Sequence, residues 1–136
     1  MGSALRGNKK FRSGCPIATT LDLLGDRWTL VIVRDMVVGK KRFGEFLKSP
    51  ERVPTNILTD RLRRLEDFGL LEKRSYQDNP VRFEYRLTEK GADLLPALQA
   101  VCLWANRHLP DTWKTPKSFL GLKPSEVVSR NEKKHE

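Results

Sequence analysis

Cysteine, histidine and long apolar runs are all scarce in this sequence. Its 136 residues contain two cysteines, Cys15 and Cys102, and two histidines, His108 and His135. Two cysteines form at most one disulfide within a chain, and these four residues lack the spacing of a zinc site. The apolar runs extend over a few residues, whereas a membrane-spanning helix needs about 18 or more. We therefore expect a reduced, cytoplasmic protein with no metal, no cofactor and no membrane span.

The sequence also lacks the motifs of small enzymes. It has no phosphate-binding glycine loop and no nucleophile elbow. The acidic neighbours Glu66 and Asp67 lie on one predicted helix and point apart, so they do not form a carboxylate dyad. The basic N-terminus has no apolar segment of the kind that a secretory signal requires. These absences favour a binding protein over an enzyme.

Acidic residues are too few to balance the basic ones. The chain has 26 Lys and Arg against 17 Asp and Glu, a net charge of +9. The excess is +4 over residues 1–16, +3 over residues 17–109 and +2 over residues 110–136. Such an excess favours an acidic partner, either nucleic acid or an anionic membrane surface. The length fits one domain with its own core.

The periodicity predicts a basic arm over residues 1–14, a domain over 15–109 and a polar tail over 110–136. Within the domain, apolar spacing, caps and turn residues predict helices over residues 17–24, 27–38, 43–48 and 55–68, strands over 70–76 and 83–87, and a last helix over 88–108. Pro96 should kink or split the last helix. The fold class is mainly α with a small two-stranded antiparallel β-wing, a winged helix-turn-helix.

The predicted helix over residues 55–68 has one apolar and one polar face. Leu58, Leu62 and Leu65 form the apolar stripe, and the polar face suits the major groove of DNA. Asparagine pairs with adenine, arginine with guanine, and threonine contacts a thymine methyl or a phosphate. The predicted DNA-binding residues are Thr55, Asn56, Thr59, Arg61, Arg63 and Arg64 on this helix, Lys41 and Arg42 before it, and Arg82 on the wing.

A second interpretation of these residues stays open. Polar residues on a helix are often only solvated, and Asp60 with Arg64 has the spacing of an intrahelical ion pair. Arg61 and Arg64 fit such pairing as well as they fit phosphate contacts. Alternation in the second strand places Arg82 and Arg86 on the polar side of the ribbon.

Several separated motifs occur in order along the chain. They are Cys15-Pro16-Ile17, Leu24-Gly25-Asp26-Arg27-Trp28-Thr29-Leu30, Arg42-Phe43-Gly44-Glu45-Phe46, Leu58-Thr59-Asp60-Arg61-Leu62-Arg63-Arg64-Leu65-Glu66, Gly69-Leu70-Leu71 and Glu84-Tyr85-Arg86-Leu87-Thr88-Glu89-Lys90-Gly91. Together they resemble the HxlR-type transcriptional regulators, a branch of the MarR-like winged-helix proteins. The resemblance covers roughly residues 15–109. The resemblance implies a bacterial-type homodimer that binds double-stranded DNA at paired half-sites. It places the recognition helix at residues 54–68 and the wing at 71–87.

The same resemblance implies that the first and last helices form the dimer interface. The last helix is apolar on more than one side, which calls for a second partner. One small core that absorbs every apolar side chain is the alternative. The implied interface residues are Ile17, Leu21, Leu94, Leu98, Val101, Trp104 and Ala105.

Cys15 matches a cysteine with which some members of that family sense oxidants or electrophiles. A thiol near a helix N-terminus has a lowered pKa, and the basic arm nearby adds to this effect. A structural role is the alternative, because small buried thiols are common core residues. Cys102 lies in an apolar stretch, where core or interface is the expected place.

Two other functions compete with sequence-specific regulation. One is non-sequence-specific nucleic-acid binding, to RNA or as an architectural DNA protein, which would need exposed aromatic side chains for stacking on unpaired bases. Here Phe43, Phe46, Phe68, Phe83 and Tyr85 fall on apolar faces. The other is a winged helix that binds only protein. A small-molecule effector is possible on this pattern, but no residue motif identifies it.

Overall fold

The computed structural model describes residues 11–133, with side chains through residue 130. Most of the predicted basic arm therefore lies outside the described residues. The elements in chain order are α1 (Pro16–Leu24), α2 (Thr29–Val37), α3 (Phe43–Leu47), α4 (Thr55–Asp67), β1 (Leu71–Asp78), β2 (Val81–Leu87), α5 (Glu89–Ala92), α6 (Leu95–His108), α7 (Lys117–Leu120) and α8 (Pro124–Lys133). The predicted fold class, mainly α with a two-stranded antiparallel sheet, is confirmed.

Local signals account for the first two helices. Pro16 occupies the first turn of α1, where its missing N–H costs no hydrogen bond. The Asp26 carboxylate accepts hydrogen bonds from the amides of Trp28 and Thr29 at 3.0 and 3.2 Å. It thereby prepares the start of α2 at Thr29, slightly later than the predicted residue 27. Gly39 ends α2 with φ of 111°, a conformation that glycine adopts without a Cβ clash.

The pair α3 and α4 forms the helix-turn-helix. The leucine stripe of α4 is buried as predicted, and Phe46 of α3 is fully buried in the same core. This core also includes Ile32 and Val33 of α2. One face of α4 is thereby held against the domain, so the opposite face is left to solvent.

The ribbon pairs antiparallel, from Leu71 opposite Leu87 to Asp78 opposite Val81. Its turn lies at Asn79 and Pro80, so both strands reach further than predicted. The Lys41 carbonyl accepts from the Tyr85 amide at 2.7 Å, which joins the segment before α3 to β2. This contact fastens the wing to the helix-turn-helix.

The prediction that Arg86 lies on the polar side of the ribbon is wrong. Arg86 and Glu84 are both buried. The reason is that β2 is packed against α2, α3, α5 and α8, so both of its faces are covered near the base of the wing. Period-2 alternation identifies two faces but does not show how many of them meet other elements.

Pro96 splits the last predicted helix, as expected, into α5 and α6. Thr88 caps α5, because its hydroxyl accepts from the Gly91 amide at 3.2 Å. Gly91 lies so close to β1 that a Cβ there would be 2.0 Å from the Leu70 carbonyl oxygen. A glycine is required at this crossing.

The structure does not separate a polar tail from the domain at residue 109. Val127 of α8 is fully buried in the common core. The Gln99 amide of α6 donates to the carbonyls of Phe119 and Leu122 at 2.9 and 2.8 Å. A few apolar residues in a polar segment are sufficient for docking. The segment is too short for the spacing of its apolar residues to indicate which of them enter the core. Across residues 11–133, no helix has the length and apolar character needed to cross a membrane.

Candidate nucleic-acid interface

The outward face of α4 carries the polar side chains that the sequence placed there. Thr55, Asn56, Thr59 and Arg63 are exposed, while the leucines of the opposite face are buried. The Arg63 side chain is 68% exposed. The Thr59 hydroxyl donates to the Thr55 carbonyl at 3.0 Å, which orients its methyl group and leaves the helix unbroken. The result is a short polar surface on a rigid helix.

Arg61 makes intramolecular ion pairs, which is the alternative to a phosphate contact that the sequence left open. Its side chain is only 16% exposed, and its Nε lies 2.9 Å from Oδ2 of Asp26. A second hydrogen bond reaches Asp60. The hydrogen bond to Asp26 raises the pKa of Arg61 further, so this guanidinium stays charged. Arg61 fastens α4 to the start of α2 and is not part of the outward surface.

Asp26 is the hub of that attachment. Burial opposes its charged form, but hydrogen bonds from Arg61 and Thr29 and from the Trp28 amide lower its pKa to about 2. The same carboxylate therefore caps α2 and holds α4 through Arg61. The cap of α2 is a local feature, whereas Arg61 is 35 residues away in the chain. The sequence motif around Asp26 therefore indicates only the helix cap.

Asp60 forms ion pairs with two further arginines of α4. It lies 3.6 Å from Nη2 of Arg63 and 3.9 Å from Nη1 of Arg64. Ion pairs of this kind on an exposed helix contribute only tenths of a kcal/mol. Both arginines can therefore exchange Asp60 for a phosphate or a base at little cost.

Sequence reasoning missed Arg52, which lies two residues before the recognition segment over residues 54–68. This exposed arginine has φ of 56°, in the left-handed region that non-glycine residues rarely adopt. Its amide donates to the Ser49 carbonyl at 3.0 Å, closing the turn before α4. Pro50 and Pro54 indicated a turn here, but no sequence signal predicts a strained arginine. Its position puts a cation beside the N-terminus of α4.

Lys41 and Arg42 converge on Glu84 and are not simple solvent-facing clamps. Their side-chain nitrogens lie 3.5 and 3.1 Å from a Glu84 carboxylate oxygen, and Arg86 lies 2.9 Å from the other one. Burial opposes the charged form of Glu84, yet hydrogen bonds from Arg86 and Arg42 lower its pKa. Arg42 also stacks over the Tyr76 ring at 3.9 Å. This cluster sets the base of the wing against α3.

The outer part of the wing presents three more cations. Lys73, Arg74 and Arg82 are exposed. Lys73 lies over the Phe83 ring at 4.7 Å, and Arg74 pairs with Glu72 at 3.3 Å. Arg82 pairs in register with Gln77, close to the ribbon turn. The outer part of the wing thus carries three cations that are exposed to solvent.

A second exposed surface is apolar and lies on α1 and α6. Ile17, Leu21, Val101 and Trp104 are 72%, 55%, 60% and 59% exposed. Leu94 and Leu98 behave differently, because they are half-buried and pack against the core of their own chain. Ala105 is also half-buried. We call Ile17, Leu21, Val101 and Trp104 the outer apolar face.

The two cysteines are free thiols in different surroundings. Cys15 is exposed at the N-cap of α1, where its amide donates to the Ser13 hydroxyl at 3.2 Å. Cys102 is half-buried on α6. The exposure of Cys15 does not fit a core role for this residue.

Comparison with known proteins agrees with this geometry. The family model of the HxlR-like helix-turn-helix matches residues 23–112. An uncharacterized HTH-type transcriptional regulator of Mycobacterium tuberculosis, MT3179, is 39% identical over 97 residues, which is 71% of this chain. The chain spans 61% of the length of that relative.

Two solved structures share the fold. The redox regulator HypR in its oxidized form has 35% identity and a TM-score of 0.63, covering 69% of this chain and 97% of HypR. The reduced form of the transcriptional regulator YodB from B. subtilis has 30% identity and a TM-score of 0.60, covering 74% of this chain and all of YodB. These relatives are named as regulators and not as enzymes, in agreement with the sequence prediction. The chain belongs to the HxlR-like helix-turn-helix family.

Proposed function

We propose that this protein is a sequence-specific DNA-binding transcriptional regulator that acts in the cytoplasm as a homodimer on a pseudo-palindromic site. The observation that carries the proposal is the face of α4 that is exposed and polar, with Arg63 extended to solvent, on a helix whose other face is locked into the core. An α-helix of this kind fits the major groove, and a basic ribbon beside it reaches the neighbouring backbone.

Within this proposal, the residues divide by the chemistry that they offer. Asn56, Thr59 and Arg63 read base edges, since their side chains lie on the exposed face of the helix, opposite the buried leucines. Thr55 lies at the first turn, where the helix amides and its hydroxyl suit a phosphate. Arg52, Arg64 and Arg82 contact the backbone and set the register of the protein on the duplex. Lys41 and Arg42 act mainly by holding the wing through Glu84.

The proposed dimer uses the outer apolar face. Isolated exposed apolar residues are common, but four large side chains on α1 and α6, each more than half exposed, are a set that another protein surface would cover. A second copy related by two-fold symmetry would bring α1 and α6 against their counterparts. The two α4 helices would then enter major grooves about 34–36 Å apart, or a multiple of that distance.

Selection of bound sequences from a random duplex library, at two salt concentrations, tests the proposal. We expect an enriched inverted repeat with one half-site for each copy. Binding without enrichment would contradict base reading and favour the alternative, a non-sequence-specific RNA or architectural DNA protein. A log–log salt slope near zero would instead favour a protein partner, because each phosphate contact contributes about −0.9 to the slope.

Redox control is a second element of the proposed function. Cys15 is exposed at a helix N-terminus, and one solved neighbour is named as a redox regulator. We expect diamide to change the affinity of the wild type for the selected duplex and to leave Cys15→Ser unchanged. Cys102→Ser is the matched control and should respond like the wild type. An equal response of wild type and Cys15→Ser would remove Cys15 as the sensor.

A further inference from the structure

A cavity of about 490 Å³ lies between α2, α6 and the C-terminal segment. Its wall is apolar, formed among others by Val37 at the end of α2, Cys102 of α6, Phe119 of α7 and Leu122. The volume is that of a pocket for a small organic molecule. Trp113, which is 78% exposed, lies on its lining and offers a flat aromatic surface.

The walls of this cavity are held in place by hydrogen bonds from half-buried side chains. The Gln99 amide of α6 donates to the carbonyls of Phe119, within α7, and of Leu122, just after it. Arg130 of α8 donates to the Val37 carbonyl at 2.6 Å. A cavity with walls fixed in this way loses little conformational freedom when it takes a ligand.

The charges on the lining have one sign. Arg34, Lys114 and Arg130 line the cavity, and no carboxylate does so within the described part of the chain. Arg34 is already paired with Asp35 and Glu51. Arg130 uses its Nη2 for backbone carbonyls, and a guanidinium carries five donors in all. Lys114 and Arg130 therefore supply the charge that a bound anion would meet.

We propose that this cavity binds a small organic anion, a carboxylate or sulfonate on an aromatic body. The aromatic body lies against Val37, Phe119 and Leu122 and beside Trp113, and the anionic group faces Lys114 and Arg130. The cavity is distinct from the outer apolar face, because Cys102 and Val101 are about 100° apart around α6. It abuts the end of α2, which leads through Gly39 to the helix-turn-helix. A role of the anion as an effector rests on the proposed function in DNA binding.

The test uses the full chain and the fluorescent anion 1-anilinonaphthalene-8-sulfonate, with neutral N-phenyl-1-naphthylamine as the uncharged counterpart. We expect one sulfonate probe per chain. Lys114→Glu should weaken its binding by about tenfold or more and change the neutral probe by less than about twofold. Lys117→Glu is the matched control, because this lysine is in the same segment, does not line the cavity and changes the net charge equally. Equal weakening by the two variants would overturn the proposal.

Two further readouts keep the result independent of folding and of DNA. The sulfonate should slow alkylation of Cys102 by N-ethylmaleimide and leave Cys15 unaffected, as measured by mass spectrometry. Loss of the probe on Trp104→Gln, with no loss on Lys114→Glu, would place it on the outer apolar face and overturn the proposal.

A duplex-binding assay with and without the probe is run in parallel. Probe binding as expected without any DNA binding would refute the proposed function and leave the cavity assignment standing. DNA binding without a specific probe site would overturn the cavity assignment and leave the proposed function standing.

Discussion

At the scale of single residues, neighbouring arginines on one helix have opposite tasks. Arg61 is turned inward to Asp26, while Arg63, two positions later, is turned outward. The helical period of 3.6 residues separates them by about 200°. Composition alone treats both as basic residues, but only one of them is available to an external partner.

Replacement of these two arginines should therefore give contrasting results. Arg63→Ala is expected to lower affinity for the selected duplex by about 1–3 kcal/mol and to relax preference at one base position. Its melting temperature should stay close to that of the wild type. Arg61→Ala should lower the free energy of unfolding by roughly 1–2 kcal/mol, because it leaves Asp26 without its charged partner. Titration of duplex variants and thermal unfolding measure the two effects, and equal loss of stability in both variants would contradict the assignment.

Asp26 predicts a pH dependence of stability. Its folded pKa is about 2, below the ordinary value of 3.8, so its charged form stabilises the folded state. This contribution is present in full above about pH 4 and is lost as the pH falls from about 4 to about 2. Denaturant unfolding at several pH values should show a decline in this window of up to roughly 2 kcal/mol for the wild type. Asp26→Asn should remove that part of the decline, and an unchanged profile would refute the role of Asp26.

At the scale of elements, the roles of the wing and of the C-terminal helix depend on the elements that each of them contacts. The ribbon has the right polarity for a DNA contact near its turn, but its base is buried through Glu84 and Arg86. α8 is polar along most of its length, yet Val127 enters the core. A few well-placed apolar side chains, with Val127 fully buried and Phe119, Leu122 and Val128 packed beside it, make this polar segment part of the domain.

The wing near its turn should contribute a phosphate contact without sequence preference. Arg82→Gln is expected to reduce the magnitude of the log–log salt slope by about 1 and to leave the ranking of duplex variants unchanged. Arg74→Gln is the comparison, since Arg74 is already paired with Glu72 and should change the slope less. A shift in base preference on Arg82→Gln would contradict this assignment.

Docking of α8 should be measurable as stability. Val127→Ala removes buried methyl groups and is expected to lower the free energy of unfolding by about 2 kcal/mol. Val128→Ala, at a half-buried position on the same helix, should cost less. Denaturant unfolding of both variants compares them directly. A loss below that of Val128→Ala would show that α8 is not part of the cooperative core.

At the scale of the whole molecule, two surfaces of different chemistry suit two different partners. The polar one comprises α4 and the wing, where Arg63, Lys73, Arg74 and Arg82 are exposed, and the outer apolar face comprises parts of α1 and α6. Under the proposed function, the first would bind the DNA polyanion and the second would bind another copy of the same protein. A site read by two recognition helices would then depend on both surfaces, since the dimer would fix the distance between the helices.

Disruption of the outer apolar face should separate the copies. Val101→Glu is expected to convert the dimer to a monomer in sedimentation at micromolar concentration and to lower affinity for the full inverted repeat more than for a half-site. Val81→Glu on the wing is the matched control for the sedimentation measurement, because this valine is 55% exposed against 60% for Val101 and lies on another surface. A wild type whose mass is monomeric at every concentration would refute the dimer.

How much could be predicted from the sequence depended on whether the signal was local. The leucine stripe of α4, the split of the last helix at Pro96 and the cap at Thr88 all act within a few residues, and the structure contains each of them. The inward turn of Arg61, the burial of Arg86, the strain at Arg52 and the docking of Val127 could not be predicted. Each of them depends on a partner that is distant in the chain or on a backbone angle without a residue signature.

The sequence by itself determined the element order from α1 to α6, the polar face of the recognition helix and the basic character of the molecule, because period, caps and composition are properties of neighbouring residues. Only the tertiary structure decided which cationic side chains remain exposed to solvent. Asp26 holds Arg61, and Glu84 holds Lys41, Arg42 and Arg86, across 35 and 42 residues of chain for Arg61 and Arg42. The cavity between α2, α6 and the C-terminal segment was likewise decided by packing, since its walls come from elements that meet only in the folded chain.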